Sequence, residues 1–438
     1  MSGERQGLAG LILAQGAEID GVPLEERESR FEEVGDRLAA AGVRPGDPVV
    51  LRGLQGRDLL LAAVAAWRLD AVPVPLPVSV SPGDSSAPRD ACHVRPDLQV
   101  APRTSDAPAF DLTGTAVLHL SSGTTGRPKL VKRGVGSLVV EAEGYRVGLS
   151  LVPGDRVAVP IPLAHSLGWG VAVSALVNGS SVEVTPLAGI GSLSRRIDSG
   201  AVSVLAATPP LARLLVDAPR RGERGLRAAI AGAGRVPEEL DRVFRERFGV
   251  SLLRGYGSSE TGGTFCGTDG IGRPLPGVEV LRPDTGETGE LVLRLAAPVQ
   301  GYLGGGEQST HEWWTGDVVR RERDGVVRFV ERTRGPLRLN GRFVDVSELD
   351  AALRSVPGVD DVHFLAVPRN PTPEIEDFFV VVAGSPGVEA TLADRLERAG
   401  APVPRLVRCE RLPANTLGKP DRDAMIDLVR KDNAGARA

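Results

Sequence analysis

The chain is poor in cysteine, histidine and aromatic residues: among 438 residues there are three cysteines, five histidines and 4% Phe, Trp and Tyr. Cys92, Cys266 and Cys409 are odd in number, widely spaced and lack a CxxC pair, so they indicate neither a disulfide framework nor a zinc site. An excess of one charge is also missing. Lys and Arg number 52 against 56 Asp and Glu, a formal charge of −4, so no global positive field draws nucleic acid or an anionic membrane. No stretch approaches the ~18 consecutive apolar residues of a membrane helix. The amino terminus, apolar only from Leu8 to Ala14 and acidic on both flanks, fails as a signal peptide. These absences predict a cytoplasmic protein with no nucleic-acid partner and no membrane insertion.

What is present is an ordinary globular composition, 42% hydrophobic and 25% charged, in a chain longer than one hydrophobic core usually serves. Phe31, Val34, Leu38 and Ala41 recur at helical spacing, Ser29 and Glu32 have capping-box spacing, and Gly42 closes a helix over Ser29 to Ala41. Pro48 to Leu51 reads as a strand, Asp58 to Leu69 as a helix and Ala71 to Leu76 as a strand, the alternation of a mainly parallel sheet. Pro77 to Pro108, rich in Pro, Ser, Asp and Gly, reads as an exposed connection. Further strands are predicted at Ala116 to Leu120, Val202 to Ala207, Ala228 to Ala231 and Leu252 to Tyr256, with a helix at Pro237 to Phe248. Val278 to Leu281 and Glu290 to Leu295, around a Thr285-Gly286 turn, suit an antiparallel ribbon.

After Arg332 the segment ERTRGPLRLNGR marks a junction, followed by helices and strands at Val362 to Ala366 and Phe378 to Ala383. The expected class is α/β. A large N-terminal domain (1–332) would hold mainly parallel sheets flanked by helices plus an antiparallel, barrel-like part, and a small α+β domain (333–438) would follow.

Directly after the Ala116 to Leu120 strand comes Ser121-Ser122-Gly123-Thr124-Thr125-Gly126-Arg127-Pro128-Lys129. Unhindered backbone amides, several hydroxyls and one cation between a strand and an expected helix form a loop able to wrap a polyphosphate. The spacing departs from the Walker pattern, because no GKS/T ending is present.

This loop resembles the phosphate-binding signature of the acyl-adenylate-forming superfamily, which includes acyl- and aryl-CoA synthetases, adenylation domains and luciferases. Other segments similar to that superfamily follow in order, from about Ser29 to Arg422. Tyr256-Gly257-Ser258-Ser259-Glu260-Thr261 resembles the YGxTE stretch, which implies adenine packing for Tyr256 and a Mg²⁺ ligand in Glu260; a carboxylate suits that hard ion and an aromatic face suits a purine. Thr315-Gly316-Asp317 resembles the ribose-binding TGD signature, with Gly301-Tyr302 upstream and Arg332 downstream as a nucleotide contact. Leu412 to Arg422 resembles the LPxTxxGKxxR segment, which makes Lys419 the catalytic lysine of adenylation. Its ammonium would meet a transition state of growing phosphoryl charge.

Pro162 to Trp169 resembles the PxxHxxG segment of acyl- and aryl-CoA synthetases. It implies a substrate pocket of His165, Trp169, Thr208, Gly232, Ala233, Gly234 and Gly262, with His165 counted among the catalytic residues beside Lys419 and Glu260. No counterpart of the Asp that pairs with an α-ammonium is found, which favours a small carboxylic acid without an α-amino group.

The resemblance thus implies ATP and Mg²⁺ as cofactors and activation of the acid to acyl-AMP with release of pyrophosphate. Acyl transfer to coenzyme A or carrier-protein phosphopantetheine would follow, with Gly341 lining the thiol channel. Transfer to an amine, or a non-catalytic nucleotide-binding subunit, remain alternatives. The hinge departs from the superfamily pattern, because its acidic pair is replaced by Arg334-Gly335, and the region between Pro77 and Leu118 is short.

Overall fold

Short apolar runs alternate with amphipathic helices along most of the chain, and in the computed structural model the runs pair into sheets covered by those helices. The structure describes residues 3–24, 29–78, 80, 91–102, 110–121, 129–184, 189–220, 222, 225–305, 309–332, 337–340, 342–344, 346–370, 372–398, 402–413 and 422–435. The described residues divide into two units, one of residues up to 332 and the other of residues from 337 on.

The largest sheet of the first unit has nine strands. At its centre Leu252–Ser258, Ala228–Ala231, Val204–Ala207, Arg156–Ala158, Ser181–Glu183 and Glu18–Ile19 run parallel as neighbours. The Val204–Ala207 strand is buried throughout and Ala228–Ala231 nearly so, which is why they read as continuous apolar runs rather than alternating ones. The Glu238–Phe248 helix shows how the covering layer is specified. Acidic Glu238, Glu239 and Asp241 occupy its first turn, Gly249 ends it in the left-handed conformation, and Leu240, Phe244 and Phe248 are buried. Each of those side chains contributes about 1.5–3 kcal/mol by leaving water.

A four-stranded sheet has the order Val72–Leu76, Pro48–Arg52, Cys92–Val94, Val100–Ala101. Here the expectation of an exposed connection from Pro77 to Pro108 is corrected. Cys92–Val94 pairs in parallel with Pro48–Arg52, and Ala91, Cys92, Val94 and Leu98 are buried. Two apolar residues at alternate positions, Cys92 and Val94, suffice for a strand once a neighbouring edge satisfies its backbone. A second correction concerns the residues after the glycine-rich loop, where a helix was expected. Lys129–Gly134 is instead a strand, antiparallel to Thr115–Ser121, and the helix begins at Val135.

Val278–Arg282, Thr288–Val299, Thr310–Arg321 and Val327–Arg332 form a purely antiparallel sheet in chain order. The second unit has its own core. Val359–Pro368, Glu376–Gly384 and Arg405–Cys409 make a three-stranded sheet, with helices Ser347–Arg354, Glu389–Arg398 and Arg422–Gly435. The architecture is the mixed α/β class expected. Among the described residues no helix is long and apolar enough to cross a membrane. All three cysteines are free thiols.

Candidate active site

Parallel strands direct the chain's candidate residues to one edge. His165 follows the Arg156–Ala158 strand, Thr208 directly follows Val204–Ala207, Gly232, Ala233 and Gly234 follow Ala228–Ala231, and Tyr256 to Ser258 end the Leu252–Ser258 strand. These four strands are neighbours, so the residues gather outside their carboxyl ends, where open α/β sheets place ligands. His165 sits at the N-cap of the Ser166–Val177 helix, and the Ser166 hydroxyl donates to the Ser258 carbonyl at 3.4 Å. Thr208 caps the next helix, its carbonyl accepting the Ala212 amide at 2.9 Å. A side chain at Gly232 would be crowded, because a Cβ there would stand 3.0 Å from Leu167 and 3.3 Å from the Gly255 carbonyl. Ala233 has a positive φ of 61° and Gly234 abuts Pro209.

Tyr256, Gly257 and Ser258 lead into a tight hairpin with Gly262–Gly267. Gly257 must be glycine, since any Cβ would strike the Gly262 carbonyl. Inside the turn Ser258 and Thr261 cap each other, amide to hydroxyl, at 3.2 and 3.3 Å. Ser259 and Glu260 form its tip. The Tyr256 ring meets Phe265 edge-on at 5.6 Å and its hydroxyl donates to the Asp317 carboxylate at 2.5 Å. Asp317 is buried, its amide held by the Thr315 hydroxyl, and it stands directly opposite Arg332 in the neighbouring strand.

Glu260 is held from another direction. The Tyr302 hydroxyl donates to its carboxylate at 2.7 Å, and Tyr302 reaches it because Gly301-Tyr302-Leu303 lies along the Lys129–Gly134 strand, bonded to Lys132 and Leu130. The Lys129 ammonium lies 5.3 Å from the centre of the Tyr302 ring. Ser121 and Lys129, the ends of the glycine-rich loop, pair across the mouth of their hairpin, with the Ser121 hydroxyl donating to the Lys129 carbonyl. The loop residues between them, Ser122, Gly123, Thr124, Thr125 and Gly126 included, lie outside the described residues, as do Gly341 and Lys419.

Trp169 is wholly enclosed, with its ring edge-on to Trp67 at 5.8 Å and to His119 at 5.4 Å. Neither ring nitrogen of His119 nor Nε1 of Trp169 has a hydrogen-bond partner among the described residues. Burial, aided by the nearby charges of Arg133 and His165, pushes the His119 imidazole down to about 3. Sequence reasoning passed over His119, two residues before the glycine-rich loop, although a histidine inside an apolar strand is itself a signal. It also passed over the buried Arg133 and Glu141, whose charges read as surface residues.

Residues 78–303, just over half of the chain, match the sequence profile of the family described as AMP-binding enzyme. This chain belongs to the AMP-binding enzyme family. This AMP-binding enzyme is 28% identical over 350 residues to the probable CoA ligase CCL5 of Humulus lupulus, covering 72% of its own length but 64% of the plant protein. It thus spans less than two thirds of that relative. With the feruloyl-CoA synthase of an Amycolatopsis species it shares 26% identity over 90% of its own length and 91% of the relative. Its fold matches o-succinylbenzoate CoA synthetase from Bacillus subtilis with a TM-score of 0.75, 20% identity and 98% coverage of both chains.

Proposed function

We propose that this chain activates a small carboxylic acid with ATP, forming acyl-AMP and pyrophosphate, and passes the acyl group to the thiol of coenzyme A or of a carrier protein. The observation that carries the reading is the convergence of Tyr256 and Asp317 in one hydrogen bond beside the hairpin bearing Glu260. An aromatic ring and a buried carboxylate so joined suit an adenosine, with Tyr256 against the base and Asp317 accepting from the ribose hydroxyls. Thr124, Thr125 and Lys129 would hold the outer phosphates.

Among the described residues no three His, Cys, Asp or Glu form a metal cluster. A single carboxylate at the hairpin tip, Glu260, suits Mg²⁺, which takes one or two carboxylates together with phosphate oxygens and water. Glu260 would hold it, and the ion would neutralise phosphate charge. His165 and the segment Gly232 to Gly234 would border the acyl group, an aromatic or medium-length one. Residues 1–332 would carry the nucleotide and acyl sites, and residues 333–438 would bring Lys419 to the reacting centre and Gly341 to the thiol path. The compartment proposed is the cytoplasm.

Exchange of labelled pyrophosphate into ATP across a panel of aromatic, short and long acids tests this reading. Strong exchange with a subset of the acids is expected, and a thioester by mass spectrometry once thiol is added. ATP binding without exchange for any acid would overturn it.

A further inference from the structure

The Lys129–Gly134 strand grips the Glu260 hairpin at two points. One runs from Lys129 through Tyr302 to Glu260 itself. The other starts four residues along the same strand, at Arg133, on the same face by the strand's two-residue period. Arg133 and Glu141 are almost fully buried and form an ion pair at 2.8 Å, with Arg133 Nε also donating to the Ser137 hydroxyl. The second carboxylate oxygen of Glu141 accepts the amide of Gly263 at 2.7 Å, at the foot of the hairpin.

Glycines let the backbone seat directly on this pair. Gly262, with φ of 73°, would place a Cβ 2.5 Å from Arg133 Nη2, and Gly263 would place one 2.5 Å from the Tyr145 hydroxyl. On the opposite side Gly170 makes way for the Glu141 carboxylate. A buried ion pair is a weak source of stability, since desolvation offsets its attraction. Its worth here lies in direction, because a carboxylate locked by a guanidinium leaves one oxygen aimed at one amide.

We propose that Arg133 and Glu141 are positioning residues that set the Glu260 hairpin for Mg²⁺-nucleotide binding. The inference rests on the proposed role of Glu260. Neither residue touches nucleotide; they act through the Gly263 amide, three residues from Glu260.

The test measures pyrophosphate exchange against Mg²⁺ concentration at saturating acid, using the full chain. Glu260→Gln must first raise the Mg²⁺ needed for half-maximal rate; if it does not, the role of Glu260 fails and not the clamp. Given that shift, Glu141→Leu is expected to raise the Mg²⁺ requirement roughly tenfold or more, the loss of one charge-assisted hydrogen bond. The maximal rate at saturating Mg²⁺ should fall much less. A purely structural role would lower the maximal rate through lost folded enzyme and leave the Mg²⁺ midpoint in place.

Glu141→Leu strands a buried guanidinium, so Arg133→Met with Glu141→Leu serves as the second variant, with no buried charge left alone. Its fold is checked by circular dichroism and thermal melting. A folded double variant with an unchanged Mg²⁺ midpoint would overturn the proposal, and a shifted midpoint supports it.

Discussion

The Tyr256 hydroxyl donates to the buried carboxylate of Asp317 at 2.5 Å, joining the Leu252–Ser258 strand of the large sheet to the antiparallel sheet. Tyr256→Phe keeps the ring on Phe265 and removes only this bond. The KM for ATP in pyrophosphate exchange should rise roughly tenfold, the size of one hydrogen bond to a charged group. An unchanged KM would remove Asp317 from nucleotide binding or show that Tyr256 does not orient it.

Lys419→Ala should depress acid-dependent pyrophosphate exchange by ~100-fold or more, as loss of one oriented charged donor does. Thioester formation from preformed acyl-AMP should suffer less. Near-normal exchange would refute the assignment of Lys419.

Burial holds the His119 imidazole neutral down to about pH 3, whereas an unfolded histidine takes its proton near 6.5. The unfolded chain therefore binds more protons between those values, so stability is complete above about pH 6.5 and declines as pH falls, by about 1.4 kcal/mol per unit from this group. His119→Leu should lose part of the stability difference between pH 7.5 and 5.5 in thermal melts. An identical difference in both proteins would contradict the enclosed, neutral state.

Gly257→Ala forces a methyl into the Gly262 carbonyl across the hairpin. Overpacking of this kind costs about 1–3 kcal/mol, and here it also displaces the Glu260 turn. A lower melting temperature together with a raised Mg²⁺ requirement for ATP binding is the expected pair of results. A loss of stability with normal Mg²⁺ response would separate the hairpin's packing from its function.

Much of the fold was legible because its strands are uniform. Ala228–Ala231 stands where the apolar run predicted it, and Leu252 begins its strand as expected. Where polarity is mixed, the reading failed for a physical reason. Lys129, Lys132 and Arg133 make the strand after the glycine-rich loop look solvated, yet Arg133 is buried because Glu141, eight residues on, returns to it from a helix. Such compensation is tertiary and leaves no periodic trace. Cys92–Val94 was hidden likewise, a three-residue strand beside a Pro- and Ser-rich stretch. In the site, the residues standing in recognisable motifs were named in advance, whereas Tyr302, present as half of a Gly-Tyr pair, showed its bond to Glu260 only in three dimensions.

The gathering of His165, Thr208, Gly232 to Gly234 and Tyr256 at one edge of neighbouring parallel strands divides labour between two kinds of residue. The strands hold the frame, and the segments beyond them hold the residues proposed for the chemistry. If the proposed function holds, new acid preferences should be reachable by exchanging a few residues in those segments, while the buried runs that keep the sheet together stay untouched. For an engineer the chain is a chassis with replaceable fittings, and the glycines that admit backbone against backbone are the few fittings that must not be changed.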